Sequence, residues 1–276
     1  MNLKNIIKDL WFKKYKNIKM FNDYWLNESN LRNFNPEELQ NFQNLKDLHF
    51  CRAGVDDVNE FQVMFDKCKN LNMLEYEKLI EIGDSEIGFD ENQKRVLFSR
   101  EKKISGWVTV NHTFFLTFLF THFGQKTPLK IVEFGGGFGN VCRLMFARKK
   151  YEIKKYTIID QKGMQQVQDF FLKKTLSEKD YKNINLIESQ PDINSQEPYD
   201  LFISNHAITE FDTIKYFEYC HLMDNCKYVF ITTCLNSVSE FTIMFHLLSK
   251  MEVVAYYAES ENMFHILLKN KQKETV

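Results

Sequence analysis

Four of the chain's ten glycines fall within residues 135–139, in the segment IVEFGGGFGN, between an apolar run (LKIVEF, 129–134) and an amphipathic one (NVCRLMFARKK, 140–150). A strand that enters a glycine turn and leaves it as a helix opens an open parallel α/β sheet, whose ligands bind beyond the carboxyl ends of the strands. Glycine permits unusual backbone angles there and omits the Cβ that would hold a ligand away from the peptide groups. A tight turn alone would need one or two glycines, so four in five positions point to a ligand.

The same grammar continues downstream. YTIID (156–160) reads as a second strand, GMQQVQDFFLKKTL as its helix, and NINLIES, YDLFISN and KYVFITTCL as the third to fifth strands. Alternating strands and helices predict a mainly parallel sheet covered on both faces. Ser237 and Glu240 form a capping-box pattern ahead of a helix carrying Val238, Phe241, Phe245 and Leu248 on one face. EVVAYYA and FHILLKN follow with only a short polar turn between them, so they must pair antiparallel, because a parallel pair needs a long crossover. Upstream, NHTFFLTFLFTHF reads as a helix stopping at Gly124.

Residues 1–105 read as helices with polar joints: 5–26, a segment entered at NPEELQNFQNLKDL, and 57–82. Asn35 is placed to cap the second, with Pro36 at its first position and Glu37 and Glu38 in its first turn. The polar stretch GDSEIGFDENQKR (83–95) is expected to be a loop near a boundary between a helical region, 1–105, and a catalytic domain, 106–276.

Lys and Arg total 36 against 37 Asp and Glu, a net charge of −1, which removes any global field for a polyanion; no nucleic-acid partner is expected. The first twenty residues do carry six Lys against one Asp, with Ile6, Ile7, Leu10, Trp11 and Tyr15 between them at helical spacing. A solvated helix face is the plainer reading; a membrane-surface or acidic-partner patch is the other. The longest apolar run, FFLTFLF, is too short to span a bilayer and no signal-peptide pattern follows the basic start, so a cytoplasmic protein is expected. Six unpatterned cysteines suit a reducing compartment. Cys220, His221 and Cys226 cluster in CHLMDNC, but without a second ligand pair a helix-to-strand connection, not a metal site, is expected there.

Neither register of the glycine window satisfies the dinucleotide spacing GxGxxG: Gly135 and Gly137 lead to Asn140, Gly137 and Gly139 to Cys142. The spacing that fits is E-x-G-x-G-x-G over Glu133, Gly135, Gly137 and Gly139, which resembles motif I of the S-adenosylmethionine-dependent methyltransferases with a Rossmann-like fold. The resemblance implies a seven-stranded, mostly parallel sheet ending in an antiparallel strand, and S-adenosylmethionine as cofactor. It implies that the loop, Gly136 included, lies against the cofactor's amino-acid and ribose portions. It also implies that Asp160 takes the two ribose hydroxyls, for which a carboxylate is suited; a helix cap is the alternative for Asp160. Gln190 maps to the adenine contact, Gln161 completes the implied cofactor set, and Asn205 is expected to contact the cofactor or the acceptor from the strand end.

Together IVEFGGGFGNVCRLM, YTIIDQKGMQQVQDFFL and YDLFISNHAITEF resemble a bacterial sugar O-methyltransferase family over about 160 residues. The chain departs from it in having Gln161 and Lys162 in place of Leu-Pro, and Phe138 in place of Tyr. The implied acceptor is a sugar or nucleotide-activated sugar of a surface-polysaccharide precursor, and a homodimer is admitted. A neutral sugar hydroxyl is a poor nucleophile, so a general base is expected after the fourth strand, where SNHAITE offers His206 and Glu210. An imidazole there is expected to titrate near neutral pH; a loop-bonded polar residue is its plainer role, and a helix-start carboxylate is that of Glu210. His112 is a further candidate base, or a structural histidine. No dense carboxylate cluster marks the third or fourth strand end, so metal-independent transfer is expected. Other small-molecule acceptors, and a catalytically silent binding module on the same fold, are the rival readings.

Overall fold

A computed structural model of the chain describes residues 2–14, 33–40, 42, 58–83, 85, 87, 107–125, 128–189, 198–210 and 213–272. Seven strands form one sheet: β1 (Leu129–Phe134), β2 (Ile153–Asp160), β3 (Ile184–Glu188), β4 (Leu201–Asn205), β5 (Tyr228–Cys234), β6 (Met251–Ala258) and β7 (Met263–Asn270). Their order is β3-β2-β1-β4-β5-β7-β6. β2 pairs parallel with β3, and β4 parallel with both β1 and β5, whereas β7 runs antiparallel between β5 and β6. The expected α/β class, with a mostly parallel Rossmann-like sheet and an antiparallel final strand, is therefore what the chain adopts.

Burial explains which strands read as continuous apolar runs. β1, β4 and β5 are buried on nearly every residue, as strands covered on both faces must be. The edge strands β3 and β6 alternate with exposed positions.

The helices are α1 (Leu3–Lys14), α2 (Pro36–Gln40), α3 (Val58–Ile82), α4 (Trp107–His122), α5 (Asn140–Arg148), α6 (Lys162–Thr175), α7 (Glu178–Tyr181), α8 (Thr213–Asp224) and α9 (Val238–Lys250), with a 3-10 turn at Ala207–Glu210. Both anticipated caps are present. Asn35 Oδ1 accepts from Glu38 N at 2.9 Å while Glu38 Oε2 accepts from Asn35 N at 3.0 Å, and Ser237 and Glu240 close the equivalent box on α9. Most of the loop expected at 83–95, and the helix continuation at 15–26, lie outside the described residues.

Contacts divide the chain into two units, one of Met1–Asn27, Leu129–Gly135 and Ser189–Val276, the other of Glu28–Pro128 and Gly136–Glu188. In the first, Ile7 and Leu10 of α1 are buried and Trp11 meets Phe241 of α9 edge-on at 5.3 Å. Lys4, Lys8 and Lys13 form an exposed face on that basic helix. Lys14 departs from it: its ammonium donates to the Leu235 carbonyl (3.3 Å) and to the amide oxygens of Asn236 and Asn262.

In the second unit α4 is apolar on all sides and correspondingly buried, with Phe114, Phe115, Leu116 and Leu119 fully enclosed. Glu75 of α3 is clamped by Arg148 (2.8 Å) at the end of α5 and by Lys150 (2.8 Å). Burial works against its charge, yet hydrogen bonds from Lys150 and Arg148 hold its carboxyl below the usual range.

Candidate active site

In the second unit the glycine loop and the end of β2 meet. Gly137 and Gly139 adopt left-handed angles (φ 54 and 91), Gly139 N closes the turn onto the Gly136 carbonyl at 2.9 Å, and Arg143 N bonds the Gly139 carbonyl at 3.0 Å as α5 begins. A Cβ on Gly137 would meet nothing within 4 Å, whereas one on Gly139 would press on Leu172 of α6 at 3.1 Å. Space is therefore left open over Gly137 alone of these two. Phe138 is the anchor of the loop, packed between Phe42 (5.5 Å) and Phe171 (4.9 Å), a role in which the hydroxyl of a tyrosine would have to find a partner.

Asp160 turns its carboxylate toward this loop. Oδ1 accepts from Gln161 N and Oδ2 from Gln168 Nε2, both at 2.8 Å, and the Gly136 and Gly137 amides also bond to it. Burial nevertheless pushes its pKa up to about 7, the hydrogen bonds only partly offsetting the loss of water. Gln168 also donates to the Gly137 carbonyl at 2.8 Å, tying carboxylate, helix and loop together. The side-chain oxygens of Gln161 and Gln168 are buried with no hydrogen-bond partner among the described residues. Gln168 was not among the expected site residues; the signal for it was a glutamine on the apolar stripe of α6 shared with Met164, Val167 and Phe171.

The first unit holds the other expected residues. Glu133 is buried on β1, opposite Ile203 of β4. Gly135 (φ 70) is constrained by its own unit, since a Cβ there would lie 2.1 Å from the Ala207 Cβ. Ser204 joins the same region, donating to the Phe134 carbonyl (3.1 Å) and accepting from Ile208 N (3.0 Å). The close approach at the start of the glycine window is therefore that of the SNHAITE segment.

Asn205 ends β4 opposite Thr232, and His206 follows it with φ 72, a left-handed angle uncommon for a non-glycine residue. Its backbone N–H bonds the Thr232 carbonyl (3.2 Å) and its Nδ1 faces Cys234 Sγ (3.8 Å). The expectation that this imidazole titrates near neutrality is corrected: burial first, and the nearby His265 second, push it down to about 4. His265, fully buried, bonds Thr232 Oγ1 through Nδ1 and Glu259 through Nε2, each at 2.9 Å. This pair escaped sequence reading because its partners come from β5 and the turn after β6. Glu210 closes the 3-10 turn with its backbone while its side chain lies outside the described residues, and Gln190 lies outside them altogether.

His112, on α4, has its Nδ1 3.2 Å from Asn140 Nδ2. Asn140 in turn accepts from Arg143 Nε (2.9 Å), whose Nη2 bonds the Gly83 carbonyl (2.7 Å). This network fixes the start of α5, a structural setting for His112.

No protein-family model and no curated protein matches the sequence. Solved structures with a similar chain path include the PH0226 protein of Pyrococcus horikoshii OT3 (TM-score 0.48, 12% identity, 60% of this chain and 92% of that one). The glycopeptide N-methyltransferase MtfA complexed with sinefungin aligns with a TM-score of 0.46 at 8% identity, over 56% of this chain and 92% of that one. The methyltransferase domain of bacterial CtHen1 aligns at 0.43 and 15%, over 51% and 89%. Similarity at this level decides neither fold nor activity; the strand order and the site geometry stand by themselves.

Proposed function

We propose that the chain is an S-adenosylmethionine-dependent methyltransferase acting on a hydroxyl of a sugar or nucleotide-activated sugar. The observation that supports this most is the convergence of Asp160 with the Gly136 and Gly137 amides at the carboxyl end of β2. The open space over Gly137 and the unpartnered Gln161 oxygen beside Asp160 fit a ligand carrying hydroxyl donors. When bound, S-adenosylmethionine supplies an already activated sulfonium methyl group. Asp160 accepts from the two ribose hydroxyls and Gln161 receives a third polar group of the ligand. The backbone of Gly135–Gly139 carries the amino-acid end, supported by buried Glu133; Asn205 and Gln190 complete the cofactor contacts.

His206 receives the acceptor's proton, with Glu210 orienting that base or the acceptor, and His112 is kept for the start of α5. The aromatic-rich segment 1–105 supplies acceptor selectivity for the 106–276 domain. A nucleotide-sugar acceptor implies a cytoplasmic enzyme; among the described residues no helix is long and apolar enough to cross a membrane. The low basicity of His206 favours a second reading, in which the acceptor is a small molecule whose hydroxyl is more acidic than a sugar's and needs less help to ionise.

Calorimetric titration with S-adenosylmethionine, followed by methyl-transfer assays on nucleotide sugars and on phenolic acceptors, tests both. Saturable cofactor binding with transfer to a nucleotide sugar is the expected result. Absence of cofactor binding by folded protein overturns the proposal, and transfer to phenols alone selects the second reading.

A further inference from the structure

Away from the carboxyl ends of the strands, α8 and α9 bring together three donor groups that methyl transfer does not use. Cys220 and Asp224 sit one turn apart on α8, and His246 faces them from α9. Their donor atoms all lie within 4.8 Å of one another, and all three side chains are half-buried. Among the described residues, two atoms of this group, Asp224 Oδ1 and His246 Nε2, are shielded from solvent and have no hydrogen-bond partner. A buried carboxylate oxygen and a buried imidazole nitrogen left unsatisfied in one cluster are costly unless something bridges them.

The surroundings hold these donors in place. Asn270 Nδ2 donates to the Asp224 carbonyl (2.9 Å), fixing the end of α8, while Lys250 takes the other carboxylate oxygen, Oδ2, at 2.5 Å. The His246 ring is wedged edge-on between Tyr216 (5.6 Å) and Phe217 (5.5 Å). Cys220 Sγ donates to the Phe217 carbonyl at 3.3 Å. Cys226, the other cysteine of CHLMDNC, bonds the Leu222 carbonyl at 3.0 Å in the same way but is fully buried.

We propose that Cys220 Sγ, Asp224 Oδ1 and His246 Nε2 form a zinc site that pins α8 to α9, with water as the fourth ligand. One thiolate, one imidazole and one carboxylate suit Zn²⁺, whereas Mg²⁺ and Ca²⁺ take oxygen ligands. Tetrahedral zinc holds such donors about 3.5 Å apart, so side-chain rotations that draw the atoms in by about 1 Å complete the sphere. On binding, the Sγ–metal bond forms and the Cys220 proton leaves to solvent. Asp224 closes α8 just before β5, and His246 lies near the end of α9 just before β6, so the ion sits at the amino ends of these strands. That position makes it a clamp on the fold and leaves the proposal independent of the methyl-transfer reading.

Titration of the full chain with Co²⁺ tests the site. A saturable sulfur-to-cobalt charge-transfer band is expected, lost in Cys220→Ser and weakened at least about 10-fold in affinity in Asp224→Asn and His246→Gln. Lys250→Gln, which removes a competing cation from Asp224, is expected to tighten binding. In the unmutated chain, Zn²⁺ should protect Cys220 from alkylation, read by mass spectrometry of its peptide. No band, a band that persists in Cys220→Ser, or equal alkylation of Cys220 with and without zinc overturns the proposal, and leaves the orphaned atoms to a bridging water.

Discussion

Burial moves Asp160 and His206 in opposite directions on the pH scale and so makes both neutral over an unusual range. Asp160, raised to about 7, holds a proton in the folded chain that the unfolded chain has lost from about pH 4 upward. Its contribution to stability is therefore full below pH 4 and is lost as pH rises toward 7. Cofactor binding has the opposite sign, because ribose hydroxyls need the ionised carboxylate. Affinity for S-adenosylmethionine should rise about tenfold between pH 6 and pH 8, measured calorimetrically, and Asp160→Asn should flatten that dependence and weaken binding. His206, held near 4, is already the free base at pH 5. Turnover should accordingly show no inflection near pH 6.5 that disappears on His206→Ala, while that substitution lowers kcat by about 10²-fold or more with cofactor affinity unchanged. An inflection of that kind in the wild type would show that the ring ionises as an exposed histidine does.

At the scale of elements, two glycines of one loop answer to different demands. Gly135→Ala forces a Cβ to within 2.1 Å of the Ala207 side chain and should cost about 2–4 kcal/mol in chemical denaturation, through overpacking and a left-handed angle. Gly137→Ala meets no atom and should cost only about 1 kcal/mol, while reducing cofactor affinity by filling the space left over the loop. Equal destabilisation by the two would contradict this division. The Glu75 clamp belongs to the same scale. Glu75→Gln leaves Arg148 and Lys150 facing each other without their shared anion and should destabilise by about 2–3 kcal/mol, with the difference from wild type shrinking as pH falls through the carboxyl's lowered pKa. Element boundaries with local causes were readable in advance: the Asn35 and Ser237 boxes lie within four residues of chain. The kink at Asn72 inside α3, where the backbone turns to φ −166, was not, nor was the short helix α7. A reading based on periodicity passes over a single non-helical residue and over helices of one turn.

For the molecule as a whole, cofactor bound only by the folded state should raise the free energy of unfolding by about 2.7 kcal/mol at a hundredfold excess over Kd, read as an upward shift in Tm. The antiparallel pairing of β6 with β7 was legible because the turn after β6 is too short for a crossover, whereas the order β3-β2-β1-β4-β5-β7-β6 is set by pairing between distant strands. Strand type, helix caps and the glycine turn were determined by the sequence alone, because each depends on residues within a few positions of one another. Tertiary structure alone decided where Lys14 is bound, that Gln168 backs Asp160, that His206 loses its basicity, and that His246 faces Cys220 and Asp224. Each of those depends on desolvation or on a partner tens to hundreds of residues away, or on another element, and neither is encoded in local spacing.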